Sequence, residues 1–204
     1  MKRTSTCMKS LKISVTAMLF AAVIFGCDTK TNEKTEATTD SAVTEAPAAT
    51  NELNSDQSAL LEAILGENEV EGSVLRGVSF GDAVSKVKAS ESFEMFGETA
   101  DHLGYTSETP QLETIDVQYF LTPDKKVNKI TVDVYLNSPE ATKQLWNAGK
   151  KYFTEHYDAP KEEPNKATWN KKSIRINMED VSKGKDYGLK FQFVPTDKNV
   201  LAAN

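Results

Sequence analysis

The side chains that could move protons near neutral pH are two histidines, His102 and His156, and a scatter of carboxylates. His102 lies between Asp101 and Leu103 near a strand. Neighbours on a strand point to opposite faces, so Asp101 cannot orient the ring from there. His156 falls on the apolar stripe of a helical segment, which places it in a core or at its rim. Glu162, Glu163, Glu179 and Asp180 have no motif spacing. Paired catalytic carboxylates need only proximity in space, so a hydrolase with acidic catalytic residues stands as the alternative function. The loop Asp180 to Asp186 is rich in oxygen ligands, but a calcium loop of the EF-hand type needs glycine at its sixth position, where Lys185 stands. Two lysines weaken a cation site further, and a hairpin loop is the better reading. No nucleophile elbow, zinc-helix motif, phosphate loop or dinucleotide fingerprint occurs. The reading implies no catalytic residue, no metal and no cofactor. Aromatic residues on strands are the remaining candidates. Tyr135 shares the outward parity of its strand, and Trp169 sits on a short one, so both are candidate contact residues.

Chemistry of another kind opens the chain. Lys2, Arg3, Lys9 and Lys12 precede the apolar run Ile13 to Phe25, which Gly26 and Cys27 follow. The run is about 13 residues, too short to span a hydrocarbon core that needs roughly 20, and it fits a secretory signal. Ile24-Phe25-Gly26-Cys27 resembles a bacterial lipobox, with Phe25 bulkier than the residue usual there. The resemblance implies cleavage after Gly26, diacylglycerol on the Cys27 sulfur and acylation of the new amino terminus. Two or more acyl chains give stable anchoring. The protein is then expected in the bacterial cell envelope, held to a membrane by lipid, with inner or outer membrane left open.

The chain has 24 basic and 30 acidic residues, and four of the basic ones leave with the signal, so the remainder carries a net charge of −10. That excludes a generic nucleic-acid binder, which needs a basic footprint. Cys7 leaves with the signal and Cys27 is the lipid site, so the folded body has no thiol and no disulfide. Residues 27–56 are rich in Thr, Ala, Glu and Ser and poor in large apolar side chains. They read as a disordered, lipidated tether with an end-to-end distance of roughly 30 Å.

The elements that must position any site follow. Leu60, Leu61, Ile64 and Leu65 share a helical face, capped by Ser55 or Asp56 and stopped at Gly66, and residues 57–74 read as a short helix and connector. Ser79-Phe80-Gly81-Asp82 has capping-box spacing with Asp for Glu, and Phe80, Val84 and Val87 predict a helix to about Ala89. Part of Glu98 to Tyr105 reads as a strand. Ile115, Val117, Tyr119 and Leu121 alternate, as do Ile130, Val132, Val134 and Leu136, with turn residues between them, which predicts a hairpin. Thr131, Asp133 and Tyr135 then face outward. Ser138-Pro139-Glu140 opens a long helix that ends near Tyr157. Ala167 to Trp169, Ile174 to Met178 and Leu189 to Phe193 complete the strands.

The order predicts one α+β domain over residues 75–196, an antiparallel sheet with helices on one face, built as two α-β-β-β units; residues 197–204 read as a disordered tail. The stretch Gly77 to Val84 is similar to the helix-opening motif of the β-lactamase-inhibitor-like superfamily, which includes the small lipoprotein of the outer-membrane barrel-assembly machinery. The hairpin at Ile115 to Leu136, Tyr157-Asp158-Ala159-Pro160 after the long helix, and Trp169 with Ile174 to Met178 follow the same order. The resemblance implies a binding module that acts through loops and an exposed sheet face. The expected function is a non-enzymatic, lipid-anchored binding protein whose partner is an envelope protein or a cell-wall polymer.

Overall fold

The computed structural model describes residues 55–66 and 72–197. The proposed signal, the cleavage site at Gly26, the Cys27 anchor, most of the tether and the last seven residues lie outside them. The described residues carry three helices, α1 (Ser55–Leu65), α2 (Val84–Ser90) and α3 (Pro139–Tyr157). They also carry eight strands: β1 (Glu94–Glu98), β2 (His102–Glu108), β3 (Thr114–Leu121), β4 (Val127–Leu136), β5 (Lys161–Glu163), β6 (Lys166–Lys171), β7 (Ile174–Asp180) and β8 (Tyr187–Pro195). All strands form one antiparallel sheet in the order β1-β2-β3-β4-β8-β7-β6-β5. The fold is therefore α+β. Each half is a helix followed by a four-stranded meander, one strand more than expected, and the halves join through their last strands. None of the described helices is long and apolar enough to cross a membrane.

Alternation decides which face is covered. Ile115, Val117, Tyr119 and Leu121 on β3 and Ile130, Val132 and Val134 on β4 are buried, with Leu189, Phe191 and Phe193 of β8 beside them. Phe153 of α3 fills the middle of that face, with ring centroids 5.4 Å from Trp169 and 6.1 Å from both Phe191 and Phe193. At Gly149 a Cβ would come within 2.9 Å of Met178 Sδ, so α3 lies close on the sheet only because glycine stands there. α3 starts where the sequence predicts: Ser138 Oγ accepts from the Ala141 N–H, and Pro139 occupies the first turn.

Helix α1 shares this core. Leu60, Leu61 and Ile64 are buried and the helix packs on α3, while residues 67–71 of the connector lie outside the described residues. Gly66 ends it with φ +91. α2 begins later than its capping-box spacing suggests. The Asp82 carboxylate does accept the Ser79 N–H at 2.8 Å, but Ser79 Oγ donates to Gly72 O instead of capping. Gly81 to Ala83 is drawn into pairing with the start of β4, where Gly81 N–H meets Val127 O and Val127 N–H meets Asp82 O. Backbone pairing there takes the first turn of the expected helix. Two edge strands were not expected as such. β1 occupies Glu94–Glu98, ahead of the strand expected within Glu98 to Tyr105, which is β2, and β5 is wholly exposed.

Candidate functional site

The helices leave one side of the sheet open among the described residues, and its side chains fall into rows. Thr106, Asp116, Asp133, Lys190, Glu179 and Lys166 stand opposite one another on successive strands. Asp116 and Asp133 are direct neighbours, an arrangement that costs stability unless each carboxylate has a donor. Each has one. Thr106 Oγ1 donates to Asp116 at 2.6 Å. Lys190 Nζ lies 2.8 Å from Asp133, and Gln118 Nε2 donates to its second oxygen at 3.1 Å. The next row holds Gly104, Gln118, Thr131, Gln192, Asn177 and Thr168, with Thr168 Oγ1 donating to Asn177 Oδ1 at 3.0 Å. Side chains on this face are thus hydrogen-bonded to one another between β2 and β3, β3 and β4, β4 and β8, and β6 and β7.

Aromatic rings break the polar pattern at two places. At one corner Phe96, His102 and Phe120 stand together, with His102 5.4 Å from Phe120 and 6.5 Å from Phe96. The Phe96 ring lies where a Cβ on Gly104 would be, so glycine lets it rest on the sheet. Lys129 Nζ sits 3.6 Å from the Phe120 ring centre, a cation over a π face. His102 Nε2 is hydrogen-bonded to Gln118 Oε1 at 3.1 Å, which links the corner to Asp133 and Lys190. At the other end of β4 stands Tyr135, 55% exposed. Its hydroxyl is pushed above the ordinary value, first by lost hydration and then by the carboxylates of Asp133 and Asp116, so it stays a neutral donor and acceptor at neutral pH.

The other residues read from the sequence are placed as follows. Trp169 is fully buried under α3 against Phe153, so it belongs to the core and offers no contact surface, which corrects its reading as a contact residue. Its strand alternates with Ala167, also buried, and the short run gave no sign of which parity faces the helices. His156 is exposed at the end of α3, stacked 4.1 Å from Tyr152, a rim position. The 180–186 loop is a hairpin loop, with Asp180 Oδ1 taking the Ser182 N–H and Lys183 bridged to Asp186. No cluster of three or more metal-ligating side chains occurs among the described residues. The sequence reading missed Phe96 and Phe120. Phe120 sits between the core residues Tyr119 and Leu121, and its parity with Asp116 and Gln118 was the available signal. Compared with known protein families, with curated proteins and with solved structures, this chain has no match in any of the three.

Proposed function

We propose that the protein is a non-enzymatic binding protein of the bacterial cell envelope, anchored by lipid on Cys27, which takes its partner on the open face of the sheet. One observation carries this reading: an internally hydrogen-bonded sheet face leaves Tyr135 and Phe96 exposed at 55% and 52%. Aromatic side chains on a preorganised surface supply contact area at small entropic cost, which is how interface anchors work. The two neighbouring carboxylates, Asp116 and Asp133, are each engaged by a donor and lie on the open face, an arrangement that suits positioning more than proton transfer. A net charge of −10 for the chain beyond its proposed signal supports anchoring by lipid and not by attraction to anionic headgroups.

The test is site-specific photo-crosslinking in membranes of a host that processes the protein. A crosslinking residue at position 135 or 96 should trap a partner, and the same residue at Asn147, exposed on the outer side of α3, should not. Equal trapping from all three positions would reject the open face. A Cys27→Ala variant that stays in the membrane fraction, fully processed, would reject the anchor.

A further inference from the structure

We infer that the chain carries a second, small-ligand site for a neutral saccharide unit, on the helix side of the sheet and independent of the open-face reading. A cleft of about 310 Å³ lies between the start of α3, the β5–β6 turn and the β7–β8 loop. That is the lower end of the volume range of small-molecule sites and suits one or two sugar rings. Its walls include the rings of Trp146 and Tyr187 and the polar side chains of Lys143, Asn165, Asp180 and Ser182. Ring faces stack on the C–H faces of a pyranose, while amide, hydroxyl and carboxylate groups match its hydroxyls as both donors and acceptors.

The walls are fixed before any ligand arrives. Asp180 N–H donates to Asn165 O at 2.8 Å, which ties the two loops together. Asp180 Oδ1 accepts the Ser182 N–H at 2.9 Å, and Ser182 Oγ accepts the Gly188 N–H at 3.2 Å. The same geometry sorts ligand classes. An anion would meet Lys143, but the helix end offers it little, since Pro139 has no N–H and Ser138 Oγ already takes the Ala141 N–H, and Asp180 adds negative charge. A cation faces Lys143 and a single carboxylate already engaged with backbone. An acyl chain would strand the polar walls. A neutral polyol can meet Lys143, Asn165 and the remaining lone pairs of Asp180 and Ser182 with its hydroxyls.

Tryptophan emission tests this directly, because Trp169 is fully buried and Trp146 is half-buried in the cleft wall. The full chain, in a sugar-free detergent, is titrated with N,N′-diacetylchitobiose, cellobiose, maltose and, separately, inorganic phosphate. At least one disaccharide should give a saturable change with a Kd below about 10 mM, and phosphate none. Asn165→Ala and Ser182→Ala should each weaken that binding at least about five-fold, and Tyr135→Ala, on the other face, should leave it unchanged. Trp146→Phe should abolish the optical signal while calorimetry still detects binding. No saturable response to any sugar, a response to phosphate, or sugar binding that neither Asn165→Ala nor Ser182→Ala weakens would overturn the site. Failure of the crosslinks from position 135 bears only on the open face, so the two readings fail separately.

Discussion

The Glu91 carboxylate, fully buried in its side chain, shows how much one residue is asked to hold. Arg76 Nε meets its two oxygens at 2.9 and 3.1 Å, and the Tyr119 hydroxyl donates to it as well. Tyr105 lies edge-on to Tyr119 with ring centroids 6.0 Å apart, but its buried hydroxyl has no hydrogen-bond partner among the described residues. The two tyrosines should therefore answer differently to the same change. Tyr119→Phe removes a bond to a buried charge and should cost about 1.5–3 kcal/mol, whereas Tyr105→Phe removes a stranded hydroxyl and should be neutral or stabilising in urea melts. Titration follows with a definite sign. Burial, then Glu91, raises the Tyr119 hydroxyl far above its ordinary value of 10.0. Below that value both states hold the proton and its contribution is complete. As pH rises past it, the unfolded chain ionises first, so stability falls by up to about 1.4 kcal/mol per pH unit for this group. Melts between pH 9 and 11 should show a shallower alkaline loss in Tyr119→Phe, and an unchanged slope would sink the assignment. On the open face, Tyr135→Ala should change stability by under about 0.5 kcal/mol. Asp133→Ala, which unpairs Lys190 and Gln118, should cost about 1 kcal/mol.

At the scale of elements, α1 is held less by its own propensity than by what grips its end. An eleven-residue helix is marginal alone, and Arg76 donates to the Ala63 carbonyl, one of the last four that an α-helix leaves unpaired. Arg76 also lies 3.8 Å from the centre of the Phe93 ring and holds positive φ (51°), so one side chain joins α1, the end of α2 and the start of β1. Arg76→Met should cost about 3–5 kcal/mol, since it leaves Glu91 buried without its cation, and should raise amide exchange along α1 first. Adding Glu91→Gln should recover part of that loss; a double variant as unstable as the sum of the singles would mean the pair is not coupled. None of this cluster was legible in the sequence, because Arg76 and Glu91 are fifteen residues apart with no periodicity between them. The hairpin β3–β4 was legible, since strict alternation and a turn are local signals, and so was the capped start of α3. Strand β5 was not: Lys161-Glu162-Glu163 buries nothing and is a strand only because β6 supplies its hydrogen bonds. Tyr135 was legible through parity, whereas Phe96 needed the β1–β2 pairing and a glycine across from it before its place could be known.

For the whole molecule, the joining of β4 to β8 turns two meanders into one cooperative unit. Either meander alone would present β4 or β8 as a long apolar edge, a template for aggregation. Pairing removes both edges at once, with Val132 opposite Phe191 and Val134 opposite Leu189, all buried. The helix layer crosses the same seam. α1 comes from the amino-terminal side yet packs on α3, which belongs to the second half, while the first half has only the seven-residue α2 of its own. The two halves are therefore expected to unfold together. Leu145→Ala tests this, because Leu145 is fully buried on α3, far along the chain from β2 and β3. Truncating a buried leucine should cost about 2–5 kcal/mol. If the halves unfold together, native-state hydrogen exchange of the slowest amides in β2 and β3 should accelerate by the same free energy as those in β6 and β7. Protection in β2 and β3 that stays at its wild-type level would mean two independently stable halves. An open face that runs from β2 to β6 requires the coupled result, because Asp133 on β4 and Lys190 on β8 form a pair only while the seam is closed.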